Sequence, residues 1–506
     1  MSQRINGAIL SYALIATKIV ITIISTPILV SSLGKSGYGI FIIAGSFVAY
    51  LSILDTGLRD TVIRHFVLYE TDTPKRDSFL AQMLGFFAAI GILVLAAGWG
   101  LRLLAATVFA NSLPVSEIKL LQDMITVASL GVACVLAFNP IGALISASER
   151  FVFLRSLDIV ASIFSATVII FLLWRGFGAL MVVIVMTVSM MIQVFCRLGY
   201  ASIKLGVSIR IGLPKASELK PIIVYASPIF VAVLVHQIYL RIDNIIIGIM
   251  LGGAPVAIYA IGVMFNKYFM SLATTITKLF APDIIRQLDK GINAEEITNL
   301  MIRISRFQAL PLLLILTGLF VFGQRFIGLW LGPGYEVSYY VLLAVLGPYC
   351  LELMGNARNT VLQVKGLYWY SVTITGIMAL INIPLTIFLL NIYGVIGAAI
   401  STGLGILVGY VLTAILLQIK VKLDMSRYFI ELARGILPAC LLSLVIGLWF
   451  DSALPIGWNG FLIGVVAYSG VYGVAMLLIG INDYERALMM RAVRSTNHLV
   501  RGVLKW

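Results

Sequence analysis

Three basic side chains interrupt otherwise apolar runs: Lys18, His236 and Lys267. An ionisable group in such a run costs about 3 kcal/mol or more unless it faces a cavity or a partner, so each is a candidate site. Lys18 lies roughly 16 Å along its helix, near the middle of a hydrocarbon layer. His236 stands about 218 residues later at similar depth, and Lys267 reaches that level from the other side. A lysine ammonium supplies a point charge and three donors, which is what a phosphate needs. His236 has a plainer reading as well, a neutral and satisfied ring on a helix.

A denser group follows in a span read over 38–68: Asp55, Arg59, Asp60, Arg64 and His65. Asp55 with Arg59, and Asp60 with Arg64, form i,i+4 pairs with the acid first, the favoured order on a helix. Arg59 and Arg64 are therefore candidate contacts for an anionic cargo, with the carboxylates orienting them. Arg64 lies near the span end and could equally snorkel to the surface. Arg241 and Asp243 are two residues apart and cannot face each other along one helix. Asp55, Asp243 and Glu352 are candidates for proton or sodium coupling, because desolvation retunes a buried acid; structural pairing with a nearby cation is the competing role, and it extends to Asp60. Lys278, Arg303 and Arg306 fall towards cytoplasmic helix ends. They could widen a positive vestibule, although topology alone also accounts for them.

Nothing here spells covalent chemistry. Only three His occur, and Cys134, Cys196, Cys350 and Cys440 all fall inside spans without metal or disulfide spacing. No phosphate-cradling loop of the nucleotide-binding type is present. Catalytic residues, metals and cofactors are thus expected to be absent, and the chain is not expected to be an enzyme.

The elements that must position these charges are membrane helices. Sixty per cent of the 506 residues are hydrophobic and 11% are charged, against about a quarter charged in soluble domains. Apolar runs of about twenty residues recur to the end, giving an all-α polytopic chain of about fourteen spans. The first run, over 8–32, is too long for a signal-peptide core and is read as a retained span. Cations cluster on one set of loops, at Lys75, Arg150, Lys204 to Lys220, Lys365, Lys420 to Arg427 and the tail. The opposite loops carry little beyond Lys35, Lys119, Arg175 and Arg325. Both termini are therefore expected in the cytoplasm, and the net charge of +14 is topological rather than a sign of nucleic acid.

A repeat organises the spans. Leu33-Gly34-Lys35-Ser36-Gly37-Tyr38-Gly39-Ile40-Phe41 matches Leu251-Gly252 leading through Ala254-Pro255 to Tyr259, about 218 residues on. Within a residue or two the offset returns at Asn139 with Asn356, and at Phe177-Gly178 with Tyr393-Gly394. Two homologous lobes of about six spans follow: 1–200 and 222–420, joined by a cytoplasmic linker at 201–221. Spans thirteen and fourteen occupy 421–482. Residues 483–506 form a basic amphipathic tail suited to an anionic lipid surface.

Leu33 to Phe41 running into Leu54-Asp55-Thr56-Gly57-Leu58-Arg59 resembles the N-terminal signature of the polysaccharide-exporter, O-antigen-type flippases. These belong to the multidrug/oligosaccharidyl-lipid/polysaccharide exporter superfamily. Arg241-Ile242-Asp243-Asn244 through Gly248 is similar to that family's seventh-span pattern, and Tyr393-Gly394-Val395-Ile396-Gly397-Ala398-Ala399 to its glycine motif opening span twelve. The resemblance implies two pseudo-symmetric six-helix lobes arranged as a V, as in multidrug extruders, with two extra C-terminal helices. It also implies cargo, an undecaprenyl-pyrophosphate-linked oligosaccharide moved to the extracytoplasmic leaflet of a bacterial inner membrane. Lys18, Lys267, Arg59, His236, Arg64, Lys278, Arg303 and Arg306 would then serve the pyrophosphate, and a polysaccharide polymerase would be a partner. Two other classes compete. A cation-coupled drug extruder of the same superfamily calls for a carboxylate-lined pocket with few midplane lysines. A polytopic glycosyltransferase or ligase calls for a sizeable outer loop or clustered carboxylates at one membrane face.

Overall fold

The computed structural model describes residues 2–53, 58–69, 72–482 and 484–486. Among the described residues the chain is helical, without a strand. This is what a chain must do where no water satisfies its backbone. The helices are α1 (Ser2–Ser52), α2 (Leu58–Leu68), α3 (Thr73–Val108), α4 (Val115–Ala137), α5 (Asn139–Ala147) and α6 (Phe151–Trp174). Then follow α7 (Ala179–Leu205), α8 (Ala216–Leu251), α9 (Gly253–Val263), α10 (Asn266–Asp289), α11 (Ala294–Leu331) and α12 (Glu336–Met354). The last six are α13 (Ala357–Val364), α14 (Tyr368–Tyr393), α15 (Val395–Leu416), α16 (Met425–Ala433), α17 (Ile436–Ala453) and α18 (Trp458–Ala475).

Thirteen helical stretches among the described residues are long and apolar enough to cross a membrane. The first, Ile5–Ser52, is 48 residues long, about twice what one crossing needs. Gly34 divides it, with φ 68 and ψ 171, a backbone shape that side chains with a Cβ avoid. Ile28 and Phe41, one on each side of that break, pack on the same cluster around Ile169, Leu173 and Val182. The run is thus two segments, which reconciles thirteen stretches with about fourteen spans. The second segment is described as α-helix to Ser52, and α2 from Leu58. The span expected over 38–68 runs across 54–57, which lie outside the described residues. Asp55, and with it the expected pairing with Arg59, lies outside the described residues.

The repeat is visible in the backbone. Gly252 ends α8 with φ 84 and ψ −170, the conformation of Gly34. The matching Asn139 and Asn356 stand at the starts of α5 and α13, where a long helix yields to a short one. Pro140 consequently begins α5 rather than bending a span, at a position where its missing N–H is no loss.

Chain contacts divide the molecule into two compact units. One is Met1–Ala260 with Ala379–Ala398. In it α3 lies along α4, α1 along α6, and α4 against α7. A core of Val62, Phe66, Phe79, Met83, Phe87 and Ile145 joins α2, α3 and α5. The connection after α7 is strapped to α3: Gly212 N donates to Ala81 O at 2.9 Å and Lys215 N to Gln82 Oε1 at 3.1 Å. The other unit is Ile261–Met378 with Ala399–Trp506, built around α11, which touches α10, α12, α16, α17 and α18. Large apolar side chains such as Leu93, Leu103, Phe164, Phe195, Leu441 and Val466 remain exposed, a surface made for lipid rather than water.

Candidate functional site

Two arrangements in the first unit combine charge with burial. The first centres on Asp243, which is 1% exposed. Its neighbour Arg241 is half-buried. Tyr259 Oη donates to Asp243 Oδ2, Asn382 Nδ2 to Oδ1 at 3.4 Å, and Thr386 Oγ1 to Oδ1 at 3.3 Å. Beside it Asn244 Nδ2 donates to Ser46 Oγ at 3.1 Å. Three neutral donors from other helices thus gather on this buried carboxylate. The sequence pointed to Asp243 but not to its partners. Asn382 and Thr386 are four apart in an apolar helix and so share a face, which was the available signal.

The second arrangement surrounds α5. Helix α2 buries Val62 and Phe66 in the core below it, and that packing delivers Arg59 to α5. Arg59 is half-buried, and its Nη2 lies 3.4 Å from Ser146 Oγ. Arg197 of α7 reaches α5 from another side and bridges to Asp158 of α6 at 3.0 Å. Arg155 meets the other oxygen of Asp158 at 3.4 Å. Arg155, Asp158 and Arg197 escaped the sequence reading, although Arg155 and Asp158 form an i,i+3 pair inside an apolar run. Arg64 is exposed on α2, His65 stacks on Phe79, and the side chain of Asp60 lies outside the described residues.

The remaining cations sort by what they touch. Lys18 is exposed on α1 and makes no ion pair among the described residues. His236 is half-buried on α8 and already engaged by a neighbour. In the second unit Lys267 is exposed on α10, its Nζ 4.8 Å from the centroid of the Tyr268 ring. Lys278 is exposed, and Arg303 lies over the Tyr484 ring at 4.6 Å.

Arg306 is engaged within the protein. It is 3% exposed, and its five N–H donors are all taken: Nε and Nη2 by Glu485, Nη2 also by Gly480 O, and Nη1 by Glu431 O and Arg434 O. That guanidinium fastens α11 to the ends of the C-terminal helices and has no donor left for cargo. Glu352 is likewise occupied, at 3.0 Å from Arg358 Nη2, with Arg358 buried over Tyr410. The candidate tail at 483–506 falls outside the described residues except for 484–486.

One groove stands out in the second unit. It holds about 380 Å³ among α10, α11 and α18 and is walled by Phe265, Tyr268, Leu319, Phe326, Phe461 and Val465. Its chemistry suits a hydrocarbon chain and offers little to a charged group.

Residues 28–339 match a family model described as "Polysaccharide biosynthesis protein". The chain is 21% identical over 495 residues to the "Uncharacterized membrane protein EpsK" of Bacillus subtilis (strain 168), covering 94% of this chain and 95% of that one. Among solved structures it is similar to the lipid II flippase MurJ in an inward closed conformation, with TM-score 0.73 and 14% identity over 95% of this chain and 100% of that one. An inward-facing multidrug resistance transporter of the MATE family gives TM-score 0.60 at 14% identity, with coverage of 79% and 94%. A transporter of the same superfamily from Pyrococcus furiosus, whose binding pocket is described as of reverse polarity, gives 0.57 at 14% identity, covering 85% and 96%. At such identities the likeness concerns the fold.

Proposed function

Because this multi-pass membrane chain belongs to the polysaccharide biosynthesis protein family, we propose that it is a flippase for an undecaprenyl-pyrophosphate-linked oligosaccharide. It carries the repeat unit of an O-antigen, capsule or exopolysaccharide from the cytoplasmic to the extracytoplasmic leaflet of a bacterial inner membrane, with both termini cytoplasmic. The observation that carries this reading is the pair Lys18 and Lys267, exposed cations inside apolar spans that no carboxylate among the described residues neutralises. Such charges are expensive unless an anion visits them. Arg59 adds a third.

Two lobes, of about residues 1–200 and 222–420, rock around the headgroup in alternating access. The prenyl chain stays in lipid or lies in the aromatic groove beside α18. Asp243 is the coupling carboxylate, and a polysaccharide polymerase takes the delivered unit. The drug-extruder reading is weaker, because a cationic drug needs carboxylates presented to it. Asp243 is buried and Glu352 is bound to Arg358.

The experiment is mass spectrometry of polyprenyl lipids from cells lacking this gene, with the polymerase intact. The expected result is an undecaprenyl-pyrophosphate oligosaccharide shielded from the outside, with surface glycan lost. An unchanged lipid profile would bring the extruder forward, and accumulation on the outer leaflet would point to a later enzymatic step.

A further inference from the structure

The charges around α5 are more than a self-satisfied ion pair. Asp158 is shared between Arg155 and Arg197, and among the described residues Arg59 meets the hydroxyl of Ser146. Asp158 lies roughly 10 Å inside the start of α6 and Arg197 roughly 12 Å inside the end of α7, by the rise per residue. A pair that only neutralised itself at that depth would need one arginine, since each further desolvated cation adds cost. Arg59 and Arg197 moreover each keep a buried Nε–H without a hydrogen-bond partner. An orphaned buried donor is a standing penalty that an incoming oxygen would relieve.

The floor between them is shaped for close approach. A Cβ on Gly142 would stand 3.9 Å from Arg197 Nη1 and 3.7 Å from Asn139 Oδ1. One turn further along α5, Ser146 Oγ meets Arg59 and donates to Gly142 O at 2.8 Å. Positions four apart on a helix are neighbours, so the two guanidinium groups flank one turn of α5. Planar forks in that arrangement suit the two ends of a diphosphate better than point charges do.

We propose that Arg59 and Arg197 over α5, with Arg155 joined to them through Asp158, form a binding subsite for the pyrophosphate headgroup of a prenyl-linked substrate, with Asp158 as a positioning residue that holds two of the arginines while the subsite is empty. The subsite rests on the flippase reading, shares Arg59 with it, and is separate from Lys18 and Lys267. An anionic phospholipid offers related phosphate chemistry, and the test separates the two sources.

The test is titration of farnesyl pyrophosphate into the full-length protein in neutral detergent, with farnesol and phosphatidylglycerol as parallel probes. Arg197→Gln is expected to weaken farnesyl pyrophosphate at least tenfold and leave farnesol unchanged. Arg197→Lys, which keeps the charge without the fork, should lose part of that affinity. Asp158→Asn should tighten binding by freeing both arginines. A purely structural bridge would do otherwise, with Arg197→Gln and Asp158→Asn lowering the melting temperature alike. Should Arg197→Gln fail to fold, the more exposed Arg155→Gln carries the same expectation. Unchanged affinity in these variants, with wild-type binding lost in Lys18→Ala, would overturn the subsite and leave the flippase reading standing. Equal binding of phosphatidylglycerol, lost in the same variants, would overturn it in favour of a bilayer-lipid site. No binding by the wild-type protein would remove both.

Discussion

Tyr259 and Phe41 hold equivalent places in the two repeats and differ by one hydroxyl, and that hydroxyl is the group that donates to Asp243. At the same offset the first repeat has Ser25 where the second has Asp243. The buried polar cluster is therefore a departure from the repeat, introduced on one side only. A shared ancestor explains the common backbone; it does not explain a carboxylate that costs desolvation unless its charge is used. Tyr259→Phe restores the residue that the other repeat tolerates, so shape is kept and one donor is lost. Leaving a buried acceptor short of a partner costs about 1–3 kcal/mol. The expected outcome is a folded protein whose melting temperature falls by a few degrees and whose export changes its dependence on external sodium or pH. Export measured across sodium and pH series checks this. A curve superimposable on wild type would make Asp243 a packing feature and not a coupling group.

At the level of elements, the second segment of α1 lies along the end of α8 in a seam closed by small residues. A Cβ on Gly39 would stand 1.8 Å from Gly253 O, and one on Gly248 would stand 2.7 Å from Ile43 Cδ1. Further along, Asn244 reaches Ser46. Positions 39, 43 and 46 repeat every three or four residues, so one helical face makes the whole contact. Close backbone approach is how membrane helices gain packing where lipid and side chain are equally apolar. Gly39→Val is expected to force the seam apart, because the obstacle is a carbonyl oxygen rather than the flexible end of a side chain. Cross-linking of Ser46→Cys with Asn244→Cys reads it out: efficient in the parent, lost with Gly39→Val. It should be retained with Gly45→Ala, where no heavy atom lies within 4 Å of the new Cβ. Gly39 and Gly248 were legible in sequence as members of the two motifs. Their contacts were not, since periodicity describes one helix and says nothing about which face finds which partner.

For the whole molecule, hydropathy and the repeat made the all-helical membrane architecture readable, because the bilayer imposes its length on every span. The candidate site was readable only by residue type. A charge inside an apolar run announces a problem, and the sequence does not say whether a neighbour has solved it. For Arg306 the solution is Glu485 with three carbonyls, and for Arg358 it is Glu352 and the Tyr410 ring. These partners come from as far as 179 residues away, beyond the reach of local spacing. Lys18 and Lys267 stay exposed, and topology does not explain them, because the positive-inside rule acts on loops and helix ends. If they serve an anion in transit, Lys18→Ala or Lys267→Ala should abolish glycan export while membrane levels of the protein stay normal. Lys→Arg at either position should keep part of it, since charge survives and geometry changes. Immunoblotting of membranes alongside surface-glycan staining separates these effects. If the alanine variants export normally, the midplane lysines are not the headgroup's path. If export and membrane level fall together, the lysines hold the helices in place and the anion must be met elsewhere.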